Sequence, residues 1–194
     1  MADSLLQEIE HADVALSLEA ARLREHPATR AFGLLSELAD QPPALTLTAL
    51  AALAGLALGR PRLAKGGMRA FASAVAATAA KSAIKAVVVR TRPHVLLDEG
   101  RYETGLMGPN EGPWNSFPSG HTANAVAVAR AAARVSPEAA APLALAALAV
   151  GAVQVPRGAH HALDVVAGAA VGWLAEAAVD AGLRALRDRA PGKR

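Results

Sequence analysis

Apolar and charged residues alternate with a roughly helical period over residues 3–39. Leu5, Leu6, Ile9, Val14, Leu16, Leu18 and Leu23 set the period, Pro27 interrupts it, and Phe32, Leu34, Leu35 and Leu38 resume it. This predicts two amphipathic helices, lying at a membrane surface or packing on the rest of the chain; the polar faces lack the Lys/Arg enrichment of a typical lipid-surface helix. After Pro42 and Pro43 the pattern changes to five apolar blocks, at about residues 43–59, 66–89, 119–135, 139–155 and 161–180. Several approach the ~20 residues that cross a hydrocarbon core, and the first and fourth have no polar face. The pattern predicts an all-α membrane bundle of about five transmembrane helices with N-terminal amphipathic helices, in preference to a soluble all-α bundle. The chain divides into amphipathic helices (1–41), a membrane domain (42–183) and a basic tail (184–194).

Composition adjusts this picture in three ways. The 194 residues fit one domain, and they are 53% hydrophobic but only 3% aromatic, so the blocks are built from Ala, Leu and Val and the mean hydropathy is only +0.25. The formal charge of +3 and pI near 9.8 come from basic residues scattered around the apolar blocks, without a basic stripe or interleaved aromatics, which argues against a nucleic-acid partner. There is no cysteine, so disulfides and thiolate metal sites are excluded. The start, Met-Ala-Asp-Ser-Leu-Leu-Gln-Glu, carries acids where a secretory signal would carry positive charge, so no cleavable signal is expected and the internal blocks must act as anchors.

Charge in the connections predicts an orientation. Arg60, Arg62, Lys65 and Arg69 flank the first turn, Arg130 and Arg134 lie near the third-to-fourth turn, and Arg184, Arg187, Arg189, Lys193 and Arg194 populate the tail. Alternating helices put all three groups on one side, which the positive-inside bias makes cytoplasmic. Gly168 and Gly172, four apart in the last block, permit close helix packing.

The same alternation brings every candidate for chemistry to the other face. Lys85 lies in the last turns of the second block and Arg92 follows about two helical turns later; Pro93 then turns the chain outward, and Lys81 lies one turn before Lys85. After a connection of about 25 residues comes Phe117-Pro118-Ser119-Gly120-His121-Thr122 at a helix start. There unpaired N–H groups and the dipole favour an anion and Gly120 allows close approach, although Ser119 is equally an ordinary N-cap. Finally, His160-His161-Ala162-Leu163-Asp164 places a carboxylate one turn after an imidazole. A neutral imidazole can attack phosphorus, a carboxylate can fix its tautomer, and cations can hold phosphoryl oxygens, so the set points to phosphoryl transfer.

Lys85-x6-Arg92-Pro93, Pro118-Ser119-Gly120-His121 and His160-x3-Asp164-Val165, in this order, resemble the three-part signature of the type 2 phosphatidic acid phosphatase superfamily, which also contains bacterial non-specific acid phosphatases and vanadium haloperoxidases. The resemblance covers roughly residues 65–175. It implies a metal-independent phosphatase with no cofactor, in which His160 attacks phosphorus, Asp164 orients it, His121 protonates the leaving oxygen, and water releases phosphate from a phosphohistidine. Lys85, Arg92, Ser119 and Gly120 would hold the phosphoryl oxygens. One departure concerns the third part, where the family carries an arginine six residues before the nucleophile and this chain has Gln154; Arg157, one helical turn on, is the candidate substitute, with Gln154 the positional equivalent. His161 competes as nucleophile but is assigned a solvent or interface role. The implied substrate is a lipid phosphate or diphosphate of the phosphatidate, phosphatidylglycerophosphate or polyprenyl diphosphate class, met at the periplasmic or exterior face of the plasma membrane. Residues 94–117, with Asp98, Glu99, Arg101, Tyr102, Glu103 and Trp114, are expected to cover the pocket. A non-catalytic lipid-phosphate-binding protein and a vanadate-dependent haloperoxidase are the other readings, and the oligomeric state stays open.

Overall fold

The structure, a computed structural model, describes residues 2–108 and 111–189. Two N-terminal helices, α1 (Ala2–Ala21) and α2 (Pro27–Ser36), precede a 3-10 turn, Glu37–Ala39. Pro27 does not merely break the pattern: it occupies the first turn of α2, where a missing N–H costs nothing, behind His26, whose Nδ1 accepts the Ala28 N–H. The five apolar blocks appear as α3 (Gln41–Ala57), α4 (Pro61–Lys85), α6 (Gly120–Ala133), α7 (Ala140–Gln154) and α8 (Ala162–Arg189). Residues 184–189 continue α8 rather than forming a separate tail, and Lys193 and Arg194 lie outside the described residues.

The expectation of purely helical structure needs one correction. The run Val87-Val88-Val89 ends α4, since β-branched side chains suit a strand better than a helix, and β1 (Val88–Arg90) pairs antiparallel with β2 (Thr104–Leu106). Between them lies a short helix, α5 (Pro93–Glu99), and beyond them a 3-10 turn, Gly112–Trp114. The described residues of this connection thus include a short ribbon and a helix.

The bundle is organised around α6, which packs against α4, α7 and α8, while α3 lies along α4 and α4 also touches α8. Its interior is built from small residues: among the described residues the buried hydrophobic side chains are alanines plus Val89, Val95 and Val153, whereas Leu47, Leu50, Leu53, Leu145, Leu148 and Leu174 face outward. Glycines set the closest approaches. A Cβ at Gly55 or Gly67 would overlap the facing backbone of the α3–α4 pair, and one at Gly168 or Gly172 would overlap the carbonyls of Ser119 or Ala123. Among the described residues two helical segments are by length and apolar character able to cross a membrane, Pro137–Gln154 and Ala162–Arg189, and α3 is apolar but shorter.

At the end of the bundle away from Asp164, charges join three helices. Arg69 of α4 pairs with Asp180 of α8, while Arg130 and Arg134 of α6 converge on Glu176, which is 1% exposed. Arg134 and Arg184 complete the set on Asp180. These four arginines are among the basic residues that the connections were expected to place on one side.

Candidate active site

Four chain segments meet at the other end of the bundle: the end of α4, the stretch from β1 to Pro93, the start of α6, and the α7–α8 connection. Backbone hydrogen bonds hold them in register. Ser119 N–H donates to the Asp164 carbonyl at 2.9 Å, Ser116 N–H to the Arg90 carbonyl at 2.9 Å, and His94 N–H to the Gly158 carbonyl at 2.9 Å. Gly158 has φ +69°, a left-handed turn that admits glycine readily, and it lets the α7–α8 connection lie against His94 and Ala21.

His160 is 2% exposed, and its Nδ1 lies 3.7 Å from Asp164 Oδ2 and 3.5 Å from Ser116 Oγ. The ring therefore turns Nε2 away from the carboxylate. At 3.7 Å the His160–Asp164 contact is an ion-pair distance rather than a hydrogen bond, and catalytic bonds are often long before substrate binds. Burial pushes the imidazole pKa down to about 3, Arg92 and Lys85 add to the effect, and Asp164 opposes it, so the ring is neutral at physiological pH.

Asp164 is fully buried and is a hub. Oδ1 accepts from Arg90 Nη1 at 2.7 Å, and Oδ2 accepts from the Ser116 hydroxyl and from His161 N–H at 2.8 Å. Arg90 in turn donates to Asp13 and Glu10 of α1. His161, expected at solvent or an interface, is instead fully buried: its Nε2 bonds the Thr91 carbonyl at 3.0 Å and its ring meets the Tyr102 ring edge-on.

The cations lie beside this pair. Arg92 donates from Nη1 to the Ala159 carbonyl at 3.0 Å and from Nε to the Gly112 carbonyl at 2.7 Å. Lys85 donates to the Asn115 carbonyl and, at 3.5 Å, to the Ser116 carbonyl. The Lys81 ammonium sits 3.1 Å from where a Cβ on Gly120 would stand, so it flanks the start of α6. Ser119 caps α6, its hydroxyl oxygen accepting from Thr122 N–H and Thr122 Oγ1. The same residue thus serves as the structural N-cap and leaves its own O–H free to donate.

His121, in the first turn of α6, points to the other side of the site. Its Nε2 is 3.5 Å from Glu37 Oε2, close enough for attraction but without hydrogen-bond geometry, since the same nitrogen is buried and has no hydrogen-bond partner. Glu37 is bound at 2.6 Å by Arg157, which also donates to Ser36 Oγ at 2.9 Å. Gln154 is fully buried, and its amide nitrogen donates to Ser36 Oγ at 3.1 Å and to the Val150 carbonyl at 2.9 Å. The structure therefore keeps Gln154 inside the α2–α7 contact and leaves Arg157, 27% exposed, at the rim near His121. Glu37, Asp40 and His121 offer ligand atoms within 4.8 Å of one another, the one group among the described residues arranged to hold a metal ion.

Arg90, Ser116, Glu10, Asp13 and Glu37 join the site without having been singled out in the sequence. Arg90 carried a signal, a charge inside a β-branched run five residues after Lys85; Ser116 and the acids of α1 carried none that was local. The covering segment is tied down by its own charges: Asp98 pairs with Arg24 of the α1–α2 connection, and Arg101 stacks over Trp114.

Comparison with known proteins places these observations. The profile of the PAP2 superfamily matches residues 66–183. No curated protein sequence matches the chain. Two solved structures are similar. One is the first transmembrane PAP2 type phosphatidylglycerolphosphate phosphatase from Bacillus subtilis, 20% identical with a TM-score of 0.64 over 96% of this chain and 90% of that one. The other is LpxE of Aquifex aeolicus, 22% identical with a TM-score of 0.56 over 85% of this chain and 92% of that one.

Proposed function

The chain belongs to the PAP2 superfamily, and from that premise we propose that it hydrolyses a lipid phosphate or diphosphate at a membrane surface without a metal ion. The observation that carries the proposal is the orientation of His160: its Nδ1 faces Asp164 and Ser116, which leaves Nε2 of a neutral ring as the nitrogen for phosphorus, and Lys85 and Arg92 lie close enough to act on the ring electrostatically. Nε2 attacks phosphorus, the P–O bond to the lipid breaks, and His121 supplies the proton to the leaving oxygen. The Nδ1 proton stays with the ring and Asp164 stabilises the positive charge that develops. Water then attacks the phosphohistidine, with His121 accepting its proton, and inorganic phosphate leaves.

Lys85, Arg92, the Ser119 hydroxyl and the N–H groups at Gly120 hold the phosphoryl oxygens. Arg157 takes the place of the family's third-motif arginine: it lies at the rim near His121, whereas both amide protons of Gln154 are already engaged. When phosphate enters, Arg157 exchanges Glu37 for the incoming oxygen.

A lipid substrate fits the surroundings. An apolar groove of about 440 Å³, lined by Phe32, Leu35, Leu47, Val128 and Val150, reaches Ser36 beside Arg157 and suits an acyl or prenyl chain. In the membrane, α3, α4, α6, α7 and α8 span, with α1 and α2 at the interface and the site facing the periplasm or exterior. At 14 residues, about 21 Å, α6 is short for a span, but α4, α7 and α8 surround it and it need not meet lipid along its length.

The test is phosphate release by detergent-purified protein from phosphatidate, phosphatidylglycerophosphate and a polyprenyl diphosphate, with and without EDTA. Release from at least one, unchanged by EDTA, is expected. Binding without release from any of them makes the protein a non-catalytic relative, and loss of activity in EDTA would mean that Glu37, Asp40 and His121 hold an essential ion.

A further inference from the structure

Helix α8 starts at Ala162, and the N–H groups of its first turn have no partner within the helix. His161 occupies the N-cap position, but its Nε2 bonds the Thr91 carbonyl and its Nδ1 has no hydrogen-bond partner, so the ring does not cap. Asp164 reaches back to His161 N–H, half of a capping box. The next two N–H groups are capped from elsewhere: Ala162 N–H donates to Ser17 Oγ at 3.1 Å and Leu163 N–H to Asp13 Oδ1 at 3.0 Å. Both acceptors belong to α1, the N-terminal helix outside the family match.

Asp13 does more than cap. Its second oxygen accepts from Arg90 Nη2 at 2.6 Å, and Nη1 of the same guanidinium holds Asp164. Glu10, one turn earlier, takes Arg90 Nε and Nη2 and the Tyr102 hydroxyl. Glu10, Asp13, Ser17 and Ala21 form one stripe at helical spacing. Leu5, Leu6, Ile9 and Leu16 are exposed on the rest of the helix, as is Leu23 just beyond its end. The packed face of α1 thus carries buried polar side chains, Asp13 and Ser17, beside Ala21 and the half-buried Val14 and Leu18, and its polar groups are matched to the start of α8 and to Arg90.

We propose that α1 is a positioning element of the active site, with Asp13 and Ser17 capping α8 in trans and Asp13 balancing Arg90 so that Asp164 keeps His160 aimed at phosphorus. The proposal rests on His160 being the nucleophile of the proposed hydrolysis. Without the Asp13 charge, Arg90 draws Asp164 towards itself and away from His160; without either cap, the first turn of α8 loses a partner for an N–H group and the dyad shifts with it.

The test uses the full chain in detergent with Asp13→Asn, Asp13→Glu, Ser17→Ala and, on the outward face, Glu19→Gln. Steady-state kinetics on the lipid phosphate that wild type hydrolyses are combined with the affinities for orthovanadate, which must bond to the nucleophile, and for inorganic phosphate, which need not. Asp13→Asn should lower kcat by roughly 10- to 100-fold with KM little changed, weaken vanadate by a similar factor and leave phosphate binding alone. Ser17→Ala should do the same more mildly, Asp13→Glu should recover part of the loss, and Glu19→Gln should have no effect. The proposal is overturned if kcat is unchanged in a folded Asp13→Asn protein. It is equally overturned if kcat, KM, phosphate affinity and melting temperature all move together, the sign of a scaffold only. Should Asp13→Asn fail to fold, Ser17→Ala and Asp13→Glu decide by the same criteria. If wild type binds vanadate but hydrolyses no lipid phosphate, the hydrolase reading fails while the vanadate arm still decides the role of α1; if it does neither, both fail.

Discussion

His160 combines two properties a nucleophile needs, a fixed orientation and a neutral ring, and both arise from burial beside Asp164. Replacing His160 or His121 by Ala should reduce turnover severely, by about 10²- to 10⁴-fold for the general acid alone, while the protein stays folded in detergent. A modest effect on phosphate release would remove the assigned roles. Burial also has a consequence for stability. The folded protein keeps His160 neutral down to about pH 3, whereas an unfolded chain protonates it near 6.5, so between those values the unfolded state binds more protons and stability falls as the pH drops. His160→Gln should therefore flatten the decline of melting temperature below about pH 6.5; an unchanged slope contradicts the depressed value. At the rim, Arg157→Ala should remove much of the activity, and Arg157→Lys should restore only part because a point charge cannot make the paired bonds of a guanidinium. Full activity in Arg157→Ala together with loss in Gln154→Ala would assign the phosphate contact to the amide instead.

Two helices determine where these side chains meet. On α8, Gly168 and Gly172 face the carbonyls of Ser119 and Ala123, and the close contact brings the α6 N-terminus to the His160–Asp164 turn. Gly168→Val should displace the Ser119–His121 segment and lose both activity and stability. Gly182→Ala, on the same helix with open space around it, should stabilise by roughly 0.5–1 kcal/mol, because alanine restricts the unfolded chain more than glycine does. Thermal melts of the two variants moving in the same direction would contradict this account of the helix contact. At the far end Glu176 neutralises both Arg130 and Arg134 from a buried position, so its loss takes the carboxylate from Arg130 and leaves Arg134 to Asp180 alone.

Across the whole molecule the usual distribution of side chains is inverted, with alanine and glycine between helices and leucine outside. That suits helices packed in lipid, where tight backbone contact replaces the hydrophobic drive to bury large side chains. The proposed orientation predicts that, in intact cells, a cysteine at Glu111 in the segment over the site reacts with an impermeant thiol reagent, while one at Arg62 in the α3–α4 connection does not. The absence of native cysteine makes the assay direct. The opposite labelling pattern would place the site in the cytoplasm.

Much of this organisation was legible in the residue pattern because it is local. Apolar blocks located the helices, although α4 starts five residues before its block and α8 runs nine residues past its own, and the spacing Lys85-x6-Arg92, the Ser119-Gly120-His121 helix start and His160-x3-Asp164 named the groups proposed to react. Helical periodicity also marked α1, but not which face would pack: its regular leucines invited an apolar contact, and the tertiary structure chose the stripe of Glu10, Asp13 and Ser17. A single turn explains that choice, since the open N–H groups at the start of α8 and the buried Arg90 need acceptors that leucine cannot provide. The same limit applies to Ser116, to Glu37 and to the choice between Arg157 and Gln154. Each depends on a partner far along the chain. Sequence alone determined the helices and the chemical inventory, because periodicity and spacing act within a few turns; only the tertiary structure decided the pairing of Arg90, Asp13 and Asp164, because a buried charge is satisfied by whatever the fold brings within about 3 Å.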